Sequence, residues 1–262
     1  MRGVKQRFQD LAGAFVIALS MYSRLPLPPI AWNKERMQYA FCFFPVVGVV
    51  IGLLLQGSCL LLELRFSWQQ DVLLYAGLGT ALPLLLTGGI HMDGFLDVTD
   101  ARSSYGEREK KLEILKDPHT GAFAIIGCAV YLLLYAACFS VLSKRGLQLF
   151  SVTFVVTRAL SGLSVLCFPK AKNTGLAASF SHQAQKRVVC VVLFLWLLAC
   201  AVCVLVCFGL RELLLCSVVS ALVYGYYYRI SVKEFGGMTG DLAGYFLQLC
   251  ELLLLMGIVF VC

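Results

Sequence analysis

Long apolar runs alternate with short polar ones along nearly the whole chain, and the runs are too long for strands. A bilayer core needs roughly 20 consecutive apolar residues per helix. Runs near that length fall at 38–62, 72–91, 121–142, 148–169, 187–209, 211–230 and 241–262. This pattern predicts seven spanning helices. Residues 3–22 read as an interfacial or half-inserted helix. Proline cannot continue a helix, so Arg24-Leu25-Pro26-Leu27-Pro28-Pro29 ends it. The expected fold is all-α: a polytopic integral membrane helical bundle of about seven transmembrane helices plus an N-terminal interfacial helix. It forms one domain over 1–262.

Composition agrees. The chain is 60% hydrophobic and 14% charged, whereas soluble domains run about 45–50% and about 25%. A water-soluble enzyme, a disordered tail and a nucleic-acid-binding domain are excluded, and no nucleic-acid partner is expected. The net charge of +7 is a topology signal in such a chain. With residues 1–37 in the cytoplasm, 17 of the 22 Lys and Arg fall on the cytoplasmic side and 4 outside. The positive-inside rule therefore orients the N-terminus and segment 92–120 to the cytoplasm. Most acids share that face, so it is the working face. The stretch Leu11 to Leu19 runs into Arg24 without a small-residue cleavage site and does not read as a cleavable signal. The 12 Cys lie in or at the ends of apolar runs. Cys200, Cys203 and Cys207 share a helix face without a His or acidic partner, so they read as packing residues.

The chemistry-bearing residues concentrate in 87–123. Asp93, Asp97 and Asp100 are spaced i, i+4, i+7, on one helix face. Three like charges on one stripe repel, and a divalent cation offsets that. Hard carboxylate oxygens suit Mg²⁺. The alternative is a solvated acidic face neutralised by Arg102, Arg108, Lys110 and Lys111. His91 precedes the first Asp by two residues and reads equally as a base, a phosphate contact or a satisfied interfacial histidine. Gly88 and Gly89 either let backbone approach a charged ligand or end the preceding span. Lys116 beside Asp117, with His119 just beyond, suits a phosphate–metal pair, or else is a surface ion pair. The chemistry these residues imply is Mg²⁺-dependent handling of phosphate or pyrophosphate at the cytoplasmic membrane surface. Arg158 and Glu251 lie mid-span, where charges are costly and functional or paired. They form a mutual pair across two helices, or Arg158 reaches a substrate phosphate.

Thr87-Gly88-Gly89-Ile90-His91-Met92-Asp93-Gly94 with Asp97 and Asp100 resembles the signature of the cobalamin synthase (adenosylcobinamide-GDP ribazoletransferase) family. Leu112-Glu113-Ile114-Leu115-Lys116-Asp117 with Gly121-Ala122-Phe123 matches its second block. Arg24-Leu25-Pro26, Phe44-Pro45-Val46-Val47-Gly48, Gly237-Met238-Thr239-Gly240-Asp241 and Glu251 match others. The matches are collinear. Departures are Ala101-Arg102 where Gly is usual after the third Asp, Pro118-His119-Thr120 where Ser-Arg-Ile is usual, and Ala124 where Gly is common.

The resemblance implies a membrane enzyme of late cobalamin biosynthesis, in the cell membrane. It would transfer phospho-adenosylcobinamide from adenosylcobinamide-GDP to alpha-ribazole or its 5′-phosphate and release GMP. It implies Mg²⁺ on Asp93, Asp97 and Asp100, with Asp117 and Asp241 as further ligands. His91, Asp93 and Lys116 become the expected catalytic residues. Arg24, Gly88, Gly89, Arg102, Arg108, His119, Arg158 and Thr239 become the expected substrate contacts. Membrane lipid and other late corrinoid-pathway enzymes are the expected partners. A CDP-alcohol phosphotransferase uses similar chemistry, but Asp97-x-x-Asp100-Ala101-Arg102 lacks that family's Gly spacing and final paired acids. A transporter would show repeated halves, and none is evident.

Overall fold

A computed structural model describes residues 4–171, 180 and 182–262. Helix α1 (Val4–Tyr22) leads through the proline segment to α2 (Lys34–Met37). A 3-10 turn, Ala40–Phe43, then runs into α3 (Phe44–Leu62). Next come α4 (Val72–Thr87), α5 (Ile90–Ser103), α6 (Arg108–Ile114) and α7 (Ala122–Ser140). The chain finishes with α8 (Lys144–Cys167), α9 (Lys186–Cys207), α10 (Leu210–Phe235) and α11 (Gly240–Val261). Among the described residues there is no strand; one isolated bridge joins Lys170 and Met238.

Among the described residues, six helices are long and apolar enough to cross a membrane: α3 with its 3-10 lead-in, α7, α8, α9, α10 and α11. The count is seven when the bent pair α4–α5 is included. The protein is therefore a multi-pass helical membrane protein. The expected span at 72–91 is shortened. Helix α4 ends at Thr87, and α5 leaves its direction by 96°. Gly88 (φ 63°) and Gly89 (φ 75°) occupy the left-handed region in succession, which glycine adopts without the Cβ penalty. The two helices have spanning length only as a pair, and the bend lays α5 against α7 and α11.

Burial follows the logic of a lipid solvent. Helix α8 is the hub, mostly buried against α3, α9 and α11. It keeps Ser151, Thr153, Thr157, Ser161 and Ser164 inside. Helix α9 is more apolar yet turns Val191, Phe194, Leu195 and Leu198 outward. Lipid tails are as apolar as leucine, so association depends on close packing by small residues. Gly48 of α3 shows this: an added Cβ would collide with the Phe154 carbonyl of α8. Gly57, on the same helix, has open space. Gly48→Val is expected to lower the melting temperature in detergent, by overpacking worth about 1–3 kcal/mol. Gly57→Ala should leave it unchanged or slightly raised. Equal effects from both would show that α3 does not pack on α8 through Gly48.

Candidate active site

The site forms where α5 crosses the start of α11. A Cβ on Gly94 would sit 2.6 Å from the Asp241 carbonyl oxygen, and one on Gly244 2.9 Å from that of His91. Two facing glycines thus allow backbone contact, which brings Asp93 and Asp97 beside Asp241. Thr239 caps α11, its hydroxyl accepting from the Leu242 N–H at 3.2 Å. The strip before it is held by backbone bonds: the Met238 N–H donates to the Pro169 carbonyl (2.8 Å) and the Ala171 N–H to the Met238 carbonyl (3.2 Å). On the other side, the Arg24 N–H donates to the Leu86 carbonyl at 2.7 Å. The Arg24 side chain packs over Gly88, so the proline segment closes against the bend.

Between these elements lies a cavity of about 350 Å³. Asp93, Asp241, Lys116, Lys170, Thr239 and Ser161 line it. Met21, Tyr22, Phe41, Phe44 and His91 line it too, and the rings of Tyr22, Phe41, Phe44 and His91 adjoin one another. His91 is buried, and burial holds its imidazole well below the usual histidine range. Burial, then Asp93, Asp241 and Asp100, push the Asp97 carboxyl up to about 6. Burial and neighbouring Lys186 push the Lys170 ammonium down to about 8. Its Nζ donates to the Phe168 carbonyl at 2.9 Å and to that of Val165.

The predicted residues divide into groups. His91, Asp93, Lys116, Thr239 and Asp241 line the cavity. Asp97 adjoins it through its charge coupling. Arg24, Gly88 and Gly89 line a second hollow that also reaches Asp93. Asp100 instead lies against Gly121, the residue before α7. A carboxylate is favoured at a helix N-terminus. Asp117 is exposed; its Oδ1 accepts from the His119 N–H at 2.9 Å and lies 2.8 Å from His119 Nδ1. Those bonds hold its pKa below the usual range. Arg108 packs against Gly236.

Arg102 forms a clamp. It meets Glu234 at 3.1 Å, and Lys111 meets the same carboxylate at 2.9 Å. Its Nη1 donates to the Tyr226 and Tyr245 hydroxyls at 2.6 and 3.2 Å. These contacts tie α5 and α6 to α10 and α11. Arg158 is fully buried, pairs with Glu251 and does not line the cavity. Of its two readings, the structure shows the pair.

Tyr22, Phe41, Phe44, Ser161 and Lys170 line the cavity without having been singled out in the sequence as site residues. The aromatics are indistinguishable there from other apolar positions, and Lys170 counts only as one more cytoplasmic-side charge.

Among the described residues, no three His, Cys, Asp or Glu side chains converge as a metal cage. Mg²⁺ typically takes one or two carboxylates and completes its shell with water and substrate phosphates. Asp97 with Asp93 and Asp241 close enough to push its carboxyl up, after burial, to about 6 is a donor set of that kind.

A cavity lined by aspartates and lysines, set among packed membrane helices, defines a polytopic membrane protein with a charged internal site. Comparison with known sequences makes the class specific. Residues 14–259 match the cobalamin-5-phosphate synthase family, and the chain belongs to it. A relative in Lachnoclostridium phytofermentans, named adenosylcobinamide-GDP ribazoletransferase, is 43% identical over 93% of this chain and 92% of its own length. Proteins of the same name in Treponema denticola and Clostridium perfringens (strain SM101) are 33% and 31% identical. They cover 92% and 94% of this chain and 95% and 98% of their own lengths. No solved structure matches.

Proposed function

We propose that this chain is an adenosylcobinamide-GDP ribazoletransferase of the last stage of cobalamin biosynthesis. The observation that carries the reading is the glycine crossing of α5 and α11. It sets Asp93, Asp97 and Asp241 beside a cavity that also holds Lys116 and Lys170. Family membership supports it.

One or two carboxylates of the Asp93, Asp97 and Asp241 cluster would hold Mg²⁺ together with the substrate pyrophosphate. When bound, the ion neutralises phosphate charge and activates the departing nucleotide. Lys116 and Lys170 stabilise charge on the transferred phosphoryl group from the cavity wall. A ribose hydroxyl of alpha-ribazole, or of its 5′-phosphate, attacks the phosphorus on the cobinamide side. The new P–O bond forms as the pyrophosphate bridge breaks, GMP leaves, and the hydroxyl proton passes to a carboxylate of the cluster. The Arg102 clamp positions α5. The excess of Lys and Arg places the N-terminus and this site at the cytoplasmic face of the cell membrane. Lipid surrounds the bundle, and other late corrinoid-pathway enzymes are its proposed partners.

The test is turnover by purified protein in lipid nanodiscs with adenosylcobinamide-GDP, alpha-ribazole 5′-phosphate and Mg²⁺. GMP and corrinoid product are expected, and EDTA should stop both. Folded protein that yields no GMP would sink the reading.

Asp97 also sets a pH dependence. Its folded pKa is raised, so it keeps its proton up to about pH 6. Mg²⁺ requires the ionised form. Apparent Mg²⁺ affinity is expected to fall as pH drops below about 6, by up to about tenfold per unit, and to level off above 7. Calorimetric titrations at pH 5, 6 and 7 check this. An acid with a raised folded pKa loses stability as pH rises through its unfolded value toward its folded one. Asp97→Asn should therefore raise the metal-free melting temperature at pH 7 while flattening the pH response.

A further inference from the structure

We propose that the aromatic side of the cavity is the acceptor subsite. There the flat benzimidazole base of the ribazole lies against Tyr22 and Phe44, and His91 meets its one unprotonated ring nitrogen. This rests on the transferase reading and assigns the two substrates to different places.

The walls carry the argument. Tyr22 and Phe44 have ring centroids 4.2 Å apart, and Tyr22 and His91 stack at 5.8 Å with planes 21° apart. Phe41 adds a third edge, 6.5 Å from Tyr22 and 5.8 Å from Phe44. Such a surface suits a flat apolar ring. Its volume of about 350 Å³ lies at the low end for small-molecule pockets, which span roughly 300–1,000 Å³. A nucleoside suits that space; a corrin macrocycle with its amide side chains does not, and stays at the mouth.

Polar complement separates the two bases on offer. The polar groups in contact with these rings are the His91 imidazole and the Tyr22 hydroxyl, while the charged residues line the same cavity. Guanine brings donors and acceptors on several edges, and each one buried without a partner costs about 1–3 kcal/mol. A benzimidazole riboside brings one ring acceptor. His91 Nε2 is buried and has no hydrogen-bond partner among the described residues. A buried polar atom without a partner calls for one, and because His91 lines the cavity a ligand there can supply it. With its base there, the acceptor's ribose is directed toward Asp93, Asp241 and Lys116.

The test is equilibrium binding to the full chain in nanodiscs, using alpha-ribazole, GDP with Mg²⁺, and free benzimidazole as probes. Free benzimidazole is expected to displace alpha-ribazole from the wild-type protein and to leave GDP bound. Tyr22→Leu and His91→Ala are expected to weaken alpha-ribazole at least tenfold and to change GDP affinity less than twofold. Benzimidazole that displaces GDP, or variants that weaken GDP alone, would assign the cavity to the donor's guanine and overturn the proposal. Variants that keep wild-type affinity for alpha-ribazole would overturn it too. If the variants lose their fold, the wild-type displacement experiment decides. A wild-type protein that makes GMP from the authentic substrates but fails these tests refutes only the subsite. One that makes none refutes the transferase reading itself.

Discussion

Asp93→Asn is expected to reduce GMP release by about 10³-fold or more, with little change in melting temperature. Asp93 is the acidic residue of α5 that lines the cavity, and it borders the Arg24–Gly88–Gly89 hollow as well. One carboxylate thus borders both of these hollows. Asn keeps the shape and removes a ligand of the proposed Mg²⁺, so without the ion the phosphate charge goes unneutralised. The other acids calibrate the result. Asp117 is exposed and engaged with His119, so Asp117→Asn should cost less than about tenfold, in line with the small worth of surface ion pairs. Asp100 rests at the start of α7, and Asp100→Asn should cost stability as well as rate. Mg²⁺-dependent turnover with melting curves for the three variants checks this. Equal losses from Asp93→Asn and Asp117→Asn would break the assignment, because only one of the two faces the cavity.

Arg158→Met is expected to be the most destabilising single substitution discussed, at about 3–5 kcal/mol. Arg158 and Glu251 are almost fully buried and pair across α8 and α11. The Thr157 hydroxyl also donates to Glu251 at 3.1 Å, and Arg158 Nη1 donates to the Phe154 carbonyl at 3.2 Å. Removing the cation leaves a carboxylate stranded in the packed interior. Removing both charges, as Arg158→Met with Glu251→Leu, leaves no stranded charge and should recover most of the loss. Thermal melts of the single and double variants measure the coupling. Turnover in the rescued double variant should approach wild type, since neither side chain lines the cavity. A double variant that is stable yet inactive would return Arg158 to a substrate role.

Much of this molecule was legible in its residues, and the reasons are physical. A membrane helix must satisfy its own backbone and present apolar side chains to lipid. Span length is therefore written in the sequence, and the six spans begin and end within a few residues of the apolar runs. Buried charge is so costly in such a setting that Arg158 and Glu251 stood out as paired or functional, and the structure shows the pair. The Asp93 cluster stood out because like charges on one face need an offset. The 96° turn at Gly88 and Gly89 was less legible: the apolar run continues to residue 91, and hydropathy carries no direction.

The sequence by itself determined the solvent, the element type, the number of crossings to within one, and the segment that carries charge, because each depends on local composition and spacing. Tertiary structure decided which charges face a ligand. Arg102 is engaged by Glu234, Asp100 by the start of α7 and Asp117 by His119, while Lys170 and the rings of Tyr22 and Phe44 enter the cavity wall. Those outcomes follow from close approaches between helices distant in the chain, above all Gly94 against Asp241 and Gly244 against His91. A contact of that kind is a property of two backbones together, and no window of one sequence contains it.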